Sequence, residues 1–311
     1  MVCIRVPAST SNLGPGFDCL GLALGLFLEA RVDPSYAGPG HAITREGDPL
    51  FEALTDPDDL FVRACMSRLE SLGQPPRALK VRLRSELPTA RGLGSSSVAV
   101  VAGTMAADAL SGRPHDPASV LAFAATEEGH PDNVAPAVLG GMTAAVMVQG
   151  EARALSLGSL PGVLAVVVSP EAALSTKAAR EVLPEVVPHR LAAASVGRSV
   201  LLSHALVAGR YDLLPGLFDD GLHQPFRSAL MPGLADALLA AQKAGALGAF
   251  LSGAGSSACA LVGGPQAPRF AERVGKAMHG AYAARGVAAT VRVLPVAPGA
   301  TVGPLDASHE P

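Results

Sequence analysis

The sequence contains no tryptophan, and aromatic residues make up only 4% of its 311 residues. Charged residues are also scarce at 16%, whereas hydrophobic residues reach 49%. A core with so few aromatic rings must be built from alanine, valine and leucine, whose small side chains favour close packing of helices on sheets. A chain of this length forms one large domain or two medium ones, and we expect two.

Signals for structural metals, nucleic acids and membranes are also missing. The four cysteines include no CxxC pair, and the eight histidines show no HExxH spacing. Lys and Arg total 24 against 27 Asp and Glu, a net charge of −3, with no basic cluster suited to a nucleic-acid backbone. No apolar run reaches the roughly 18 to 20 residues of a membrane helix. We therefore expect a reduced cytoplasmic protein that binds neither nucleic acid nor membrane.

Strand-like and helix-like patterns alternate and predict an α+β protein of two domains. "VLAVVVSP" near residue 163 restarts the pattern as a buried strand, and "GAFLS" and "ACALVGG" follow as further strands after two helical regions. A helix is predicted from Asp58 to Gly73, which has an Asp start, a Gly stop and helical apolar spacing. The predicted boundaries are 1–155 for the N-terminal domain, 156–300 for the C-terminal domain and 301–311 for a flexible tail.

A loop rich in glycine and serine precedes a predicted helix in "PTARGLGSSSVAVVAGTMAADAL", from Pro88 to Leu110. Free backbone N–H groups and the positive end of the dipole make a helix start suited to phosphate. The glycines would let the backbone approach phosphate oxygens, and the serine hydroxyls would bind phosphate or ligate Mg²⁺. Taken alone, the match is equally compatible with an ordinary loop and a serine N-cap. The loop lacks the lysine of a Walker P-loop, which excludes that type of nucleotide site.

A second glycine segment, "GAGSSA" at 253–258, matches the dinucleotide fingerprint GxGxxA and follows a predicted strand. That fingerprint also requires a helix that opens at the loop and an acidic residue about 20 residues further on. Here "CALVGGP" continues as a short strand. We therefore interpret the segment as a tight loop between two strands, and not as a nicotinamide site.

Three polar segments complete the candidate chemistry. "EEGHPDNVAP" at 127–136 groups carboxylates with a histidine, "STKAAR" places Thr176 and Arg180 one helical turn apart, and "HQPFR" contains His223 and Arg227. Taken singly, these residues are typical of helix caps and solvated surface side chains. Together with the phosphate loop, they supply carboxylates for Mg²⁺ and two arginines suited to a carboxylate. This set indicates phosphoryl transfer to a small acid, a reaction that depends mainly on positioning and charge neutralisation.

The order of three segments resembles the GHMP kinases: "VPASTSNLGPGFDCLG", "PTARGLGSSSV" and "GAFLSGAGSSACALV". "STSNLGPGFD", "HPDNVAPAVLGG", "STKAAR" and "PFR" are similar to the homoserine kinase branch of that family. The resemblance implies an N-terminal domain like ribosomal protein S5 domain 2 and a ferredoxin-like C-terminal domain, with the site between them. It also implies ATP, Mg²⁺ and L-homoserine as ligands, O-phospho-L-homoserine as product in threonine biosynthesis, and a possible homodimer.

The resemblance further implies a role for individual residues. Asn133 and Thr176 would be catalytic, and Ser96 and Glu128 would hold Mg²⁺, with Glu127 as the alternative to Glu128. The nucleotide phosphates would lie against Pro88, Thr89, Ala90, Arg91, Gly92, Leu93, Gly94, Ser95, Ser96, Ser97 and Val98. The substrate would contact Asn12, Asp18, His130, Asn133, Arg180 and Arg227, and the third motif would contribute a loop of Gly253, Gly255 and Ser256.

Several points stay open at the level of sequence. Gln224 and Phe226 stand where the family pattern favours Glu and Tyr, and Asp59 stands near the expected adenine site in place of Asn. No residue is identified as a general base, and the hydroxyl proton would pass directly to the transferring phosphoryl group. A GHMP kinase for another small alcohol and a GHMP-fold protein that binds ligand without turnover are the two alternatives.

Overall fold

Two β-sheets organise residues 1–55 and 59–304, the part of the chain that the computed structural model describes. The first sheet has seven strands: β1 (Val2–Ser11), β2 (Leu20–Val32), β3 (Ala42–Glu46), β4 (Lys80–Ser85), β5 (Met142–Val148), β6 (Glu151–Gly158) and β11 (Thr301–Pro304). The second has four: β7 (Leu164–Pro170), β8 (Gly248–Leu251), β9 (Ala258–Val262) and β10 (Ala289–Pro295). The helices are α1 (Pro49–Glu52), α2 (Leu60–Ser71), α3 (Ser95–Leu110), α4 (Pro117–Glu128), α5 (Val134–Leu139), α6 (Thr176–Glu181), α7 (His189–Val207), α8 (Gln224–Arg227), α9 (Leu234–Lys243) and α10 (Ala267–Ala283).

The N-terminal sheet is built around the long hairpin of β1 and β2. Its main order is β11-β1-β2-β4-β3, and β5 extends β2 at the other end of that strand and pairs with β6. All pairs are antiparallel except β3 with β4. None of the helices in the described ranges is long and apolar enough to cross a membrane.

The C-terminal sheet has the order β10-β7-β9-β8, and its strands and helices follow the split β-α-β-β-α-β pattern of a ferredoxin-like domain. Both faces of β7 are buried because its side chains alternate between two cores. Ala165 and Val167 belong to the core that continues into the N-terminal domain, whereas Val166 and Val168 pack with α9 and α10. This double burial explains the uninterrupted apolar run of "VLAVVVSP". The two sheets and their helices confirm the predicted two-domain α+β organisation.

Helix α3 passes through the middle of the N-terminal domain and is buried over most of its length. Its side chains are almost all small, so it fits between the sheet and helices α2 and α4. The packing fixes the direction of α3. The loop that precedes α3 contacts the C-terminal domain at Gly92, whose backbone lies against Ser252. The phosphate loop is therefore placed by the core.

Two predicted boundaries are wrong. Strand β6 runs to Gly158, so the division at 155 cuts through a strand of the N-terminal sheet. Thr301 to Pro304 do not form a flexible tail, because they pair in register with Arg5 to Val2 and extend that sheet. Residues 305–311 of the predicted tail, and Asp58 of the predicted helix, lie outside the described residues. The α2 helix begins at Leu60 with Asp59 as its N-cap.

We expect Gly103→Ala to destabilise the protein by about 1 to 3 kcal/mol, because overpacking a dense contact displaces its neighbours. A Cβ at Gly103 would lie 2.3 Å from the carbonyl oxygen of Phe61, where α3 crosses α2. Gly197 in α7 is the control, since a Cβ there meets nothing within 4 Å. Gly197→Ala is expected to stabilise by about 0.5 to 1 kcal/mol through higher helix propensity. Urea denaturation measures the free energy of unfolding of both variants. A change of the same sign in both would contradict the packing argument.

Candidate functional site

A cavity of about 440 Å³ lies between the two domains and is lined by residues from both of them. Most of the predicted site residues line it. These are Asn12, Asp18, Thr89, Ala90, Gly92, Gly94, Ser95, Ser96, Ser97, Val98, Glu128, His130, Asn133, Thr176, Arg180, Arg227, Gly253 and Gly255.

The phosphate loop enters α3 through two glycines with left-handed backbone. Gly92 has φ +74° and Gly94 has φ +69°, a region that side chains rarely adopt. A Cβ at Gly94 would lie 2.3 Å from the hydroxyl oxygen of Ser9, and one at Gly92 would lie 2.2 Å from the carbonyl oxygen of Ser252. The loop thus needs glycine both for its conformation and for its contact with each domain. Among the residues that the structure describes, no side chain caps the start of α3, so its first N–H groups remain available to an anion.

Glu128 lies directly opposite the first turn of α3. Its Oε1 accepts a hydrogen bond of 2.5 Å from Ser96, and its Oε2 accepts one of 2.6 Å from Ser97. Glu127 points away from the cavity and accepts a hydrogen bond of 3.0 Å from Ser67. Of the two neighbouring glutamates, Glu128 is therefore the one beside the phosphate loop.

The candidate cation ligands at the site are oxygen atoms of one carboxylate and of nearby hydroxyls. Within residues 1–55 and 59–304, no group of three or more His, Cys, Asp or Glu side chains could hold a metal ion. Glu128 and Ser96 nevertheless supply the hard oxygen donors that Mg²⁺ prefers, and Mg²⁺ in phosphoryl-transfer sites commonly takes its other ligands from water and phosphate. The donor set therefore fits Mg²⁺ held together with a nucleotide.

Buried hydroxyl groups at the end of β1 connect the loops of the site. Thr10 donates to Ser252 at 2.8 Å, since the Ser252 hydroxyl itself donates to the carbonyl of Gly92 at 2.6 Å. The hydroxyl of Ser9 lies 3.0 Å from Oδ1 of Asn133. On the other side of the same amide, Nδ2 donates to Ser11 at 2.9 Å. The amide of Asn133 is thereby oriented by β1.

The predicted substrate residues Asp18 and Arg180 pair with each other across the domains. The two guanidinium nitrogens of Arg180 donate to the two carboxylate oxygens of Asp18 at 3.0 and 3.1 Å. Asn12 supports this pair, because its Oδ1 accepts from the backbone N–H of Asp18 at 3.0 Å and its Nδ2 donates to the Gly253 carbonyl. One acidic and one basic group thus face the same end of the cavity.

Arg227 also faces this end, and it is almost fully buried. Its Nε donates to the carbonyl of Ala179 at 2.9 Å, and its Nη1 lies 3.1 Å from His223 Nδ1 and 3.2 Å from the Gly253 carbonyl. None of the described residues accepts a hydrogen bond from its Nη2. A buried guanidinium with an unused donor beside a cavity is suited to a ligand carboxylate.

His130 forms a pair with the buried carboxylate of Asp132. Their Nδ1 and Oδ1 atoms are 3.1 Å apart. The hydrogen bond and charge of Asp132 raise the pKa of His130 above 6.5, against the opposing effect of burial. Burial alone would raise the pKa of Asp132, but the hydrogen bond and charge of His130 bring it below the usual range. The imidazolium–carboxylate form is therefore favoured in the folded protein.

Four predicted residues do not line the cavity. Arg91 turns away and donates to the carbonyls of Thr89, Pro170 and Glu171, which secures the loop to the C-terminal domain. Leu93 packs in the core, and Ser256 donates to the Ala172 carbonyl at 2.7 Å. Pro88, at the entrance of the loop, is the fourth. The contacts of Arg91, Leu93 and Ser256 therefore stabilise the loops from outside the cavity.

No role was predicted from the sequence for the residues that orient the site from the core. They are the β1 hydroxyls, Ser252, Asp132 and His223, all of which are buried. The run "STS" in a strand with otherwise apolar burial is a signal, since a buried hydroxyl requires a partner. His223 was a candidate within "HQPFR", but its contact with Gly14, 209 residues away, depends on the tertiary structure.

Comparison with known proteins agrees with this geometry. The family model "GHMP kinases N terminal domain" matches residues 59–141, and "GHMP kinases C terminal" matches residues 202–280. A homoserine kinase of Moorella thermoacetica is 41% identical over 94% of this chain and 97% of its own length. One of Thermus thermophilus is 43% identical over 85% of this chain and 88% of its own.

A solved structure is similar over nearly the whole fold. The crystal structure of homoserine kinase from Cytophaga hutchinsonii superposes with a TM-score of 0.84 at 28% sequence identity. The match covers 97% of this chain and 96% of that one.

We expect His130 to titrate above pH 6.5 in the folded protein and closer to its ordinary value in Asp132→Asn, which removes the partner charge. Because the folded pKa is raised, the pair stabilises the fold below pH 6.5, and this contribution is lost as pH rises through the folded midpoint. Imidazole proton shifts measured by NMR against pH test this, with His130→Gln to assign the signal. An unchanged midpoint in Asp132→Asn would argue against the pair.

Proposed function

The chain belongs to the GHMP kinase family, and we propose that it acts as a homoserine kinase. The reaction transfers the terminal phosphoryl group of ATP to the side-chain hydroxyl of L-homoserine and releases ADP and O-phospho-L-homoserine, a step toward threonine. One observation carries the substrate assignment. The cavity that contains the open start of α3 also contains Asp18, Arg180 and Arg227, the charges that a free amino acid requires.

The nucleotide would place its phosphates on the loop from Thr89 to Val98 and its base in the apolar part of the cavity. Phe51, Leu54, Leu60 and Leu87 line that part. The carboxylate of Asp59 lies nearby but is already used, since it caps α2 at Phe61 N (2.8 Å) and pairs with Arg45 at 2.7 Å. Selection of adenine therefore depends on shape and backbone contacts, and not on the Asp59 carboxylate.

Glu128 and Ser96 would hold Mg²⁺ beside the phosphates. The ion would neutralise charge on the transferring group. The two serine hydroxyls now bonded to Glu128 keep its carboxylate at the α3 N-terminus, so the metal ligand and the phosphate-binding backbone are positioned together. Glu127 takes no part, because it lies on the outer side of α4.

The amino-acid end of homoserine would bind where Asp18 and Arg180 now pair. Its ammonium would take the carboxylate of Asp18, and its carboxylate would take Arg180 and the unused Nη2 of Arg227. Both members of the existing pair are more than one third exposed, so their mutual attraction contributes only about 0 to 1 kcal/mol. A zwitterionic substrate would replace the Asp18–Arg180 pair with two ion pairs, one between its ammonium and Asp18 and one between its carboxylate and Arg180.

The hydroxyl end would lie near Asn133, His130 and Thr176. The serines of β1 fix the amide of Asn133, so it can orient the attacking oxygen without reorganisation. No lysine lines the cavity, and the only acidic side chains along its described lining are Asp18, Asp59, Glu128 and Asp132. All four have partners already, which supports transfer of the hydroxyl proton to the phosphoryl group itself.

The first test measures ADP release by the purified protein with Mg²⁺ and ATP. L-homoserine, L-serine, mevalonate and galactose are supplied side by side. We expect release with L-homoserine only, because mevalonate and galactose lack the ammonium and L-serine is one methylene shorter. Release with a different alcohol would replace the substrate assignment, and release with none would favour a protein that binds ligand without turnover.

The second test separates the two neighbouring glutamates. We expect Glu128→Gln to lower turnover on the order of 10²-fold, since it removes a charge aimed at the metal, while nucleotide binding stays nearly unchanged. Glu127→Gln is the matched control and should retain full turnover. Titration calorimetry with ATP and steady-state kinetics give the two readouts. Equal turnover in both variants would remove Glu128 from the metal site.

A further inference from the structure

His223 has no role in the proposed function, yet it joins Arg227 to the loop between β1 and β2. The residue is fully buried and directly precedes α8. Its Nδ1 is 3.1 Å from Arg227 Nη1, and its Nε2 is 3.0 Å from the carbonyl oxygen of Gly14. The ring also stacks on Phe17 with centroids 4.9 Å apart. One imidazole thus contacts both domains at the amino-acid end of the cavity.

The partners of the ring determine its protonation state. A guanidinium only donates hydrogen bonds, so Nδ1 must accept the bond from Arg227. A carbonyl only accepts, so Nε2 must carry the proton and donate to Gly14. Only the neutral imidazole with its proton on Nε2 satisfies both contacts.

We propose that His223 is a positioning residue for the amino-acid substrate: as a neutral imidazole it orients Arg227 toward the substrate carboxylate and fixes that arginine to the β1–β2 loop. The proposal rests on the proposed function. Nε and Nη1 of Arg227 are held by the protein, and Nη2 is left for the ligand. Phe17 limits movement further, since its ring lies 5.2 Å from the Arg227 guanidinium.

The charges around the ring come from four segments. Asp220, in the turn before α8, has its Oδ2 3.4 Å from Nε2, and Arg227 approaches from α8 itself. Asp18 of the β1–β2 loop acts on the ring through its charge, and Arg180 of α6 lies 6.0 Å from the ring of Phe17. Burial lowers the pKa of His223 below 6.5, and Arg227 adds to this, against the opposite effects of Asp220 and Asp18. The ring is therefore neutral at neutral pH, and its protonation in acid would place two cations 3.1 Å apart.

Two amide substitutions separate the two contacts of the ring. His223→Asn places an amide oxygen near the position of Nδ1 and keeps an acceptor for Arg227. His223→Gln reaches the position of Nε2, so it can donate to Gly14 but offers Arg227 no acceptor. We expect His223→Gln to raise KM for L-homoserine about tenfold with KM for ATP unchanged, and His223→Asn to remain closer to the native enzyme. The proposal would be overturned if the two variants changed KM for L-homoserine and KM for ATP equally. It would also be overturned if His223→Gln kept the native KM for L-homoserine.

The pH dependence gives a readout that a purely structural residue would not change. In the native enzyme, kcat/KM for L-homoserine should fall in acid with a midpoint below pH 6.5, because the neutral ring is the form that accepts from Arg227. His223→Asn should lose this acid limb. The same limb in both proteins would contradict the proposal.

The ring can also be examined without turnover. Nitrogen-15 NMR of histidine-labelled protein at pH 7 should show a neutral His223 ring protonated on Nε2, with His223→Gln to assign the signal. A doubly protonated ring, or a neutral ring with its proton on Nδ1, would overturn the proposal even in an active enzyme. Absence of homoserine-dependent ADP release in the native protein would instead refute the proposed function, so the two failures are distinguishable.

Discussion

Buried hydroxyl groups at the end of β1 are the constraint on which the site depends. Ser9, Thr10 and Ser11 are fully buried, and each must find a hydrogen-bond partner inside the protein. The partners they find are Asn133 and the loop residue Ser252. A single strand of the N-terminal sheet thereby orients the amide of Asn133 and holds the loop after β8 against the glycine- and serine-rich loop before α3. Because these bonds are shielded from water, breaking one leaves a buried group unpaired, and the arrangement is correspondingly rigid.

The shared core explains why a site between two domains can be this well defined. The inner face of β7 and β9 belongs to the same apolar core as β1 and β2. Continuity of packing, rather than a flexible linker, fixes the position of Arg180 and Arg227 relative to the start of α3. Catalysis by positioning requires such fixed distances between substrate and phosphate contacts.

Local patterns predicted the parts of the molecule whose structure is determined by nearby residues. The glycines and serines before α3 and the double-sided strand β7 are of this kind, and both predictions of local structure are confirmed. Pairing of Thr301 to Pro304 with β1 depends on residues about 300 positions apart, and no local pattern reveals it. The choice between Glu127 and Glu128 depends on how α4 is rotated against α3, since neighbours on a helix point about 100° apart. No role for His223 was predicted for the same reason, because its contacts are with Gly14 and Phe17 from the opposite end of the chain.

Charge balance at the amino-acid end links these features to substrate choice. Asp18 and Arg180 neutralise each other, while Arg227 beside them has no carboxylate partner among the described residues. A ligand with a carboxylate alone would leave its charge to compete with Asp18, and a neutral alcohol would leave Arg227 buried beside an unfilled space. In the proposed binding mode, a zwitterion would satisfy Asp18 with its ammonium and the two arginines with its carboxylate. A neutral His223, the form that its contacts with Arg227 and Gly14 favour, would be part of this balance, because a third cation would make the same end of the cavity less favourable for the ammonium. In the proposed binding mode, selectivity for an amino acid would follow from the arrangement of the pair, the buried arginine and the uncharged ring. The hydroxyl end of the substrate would be bound separately, by the groups that β1 holds in place.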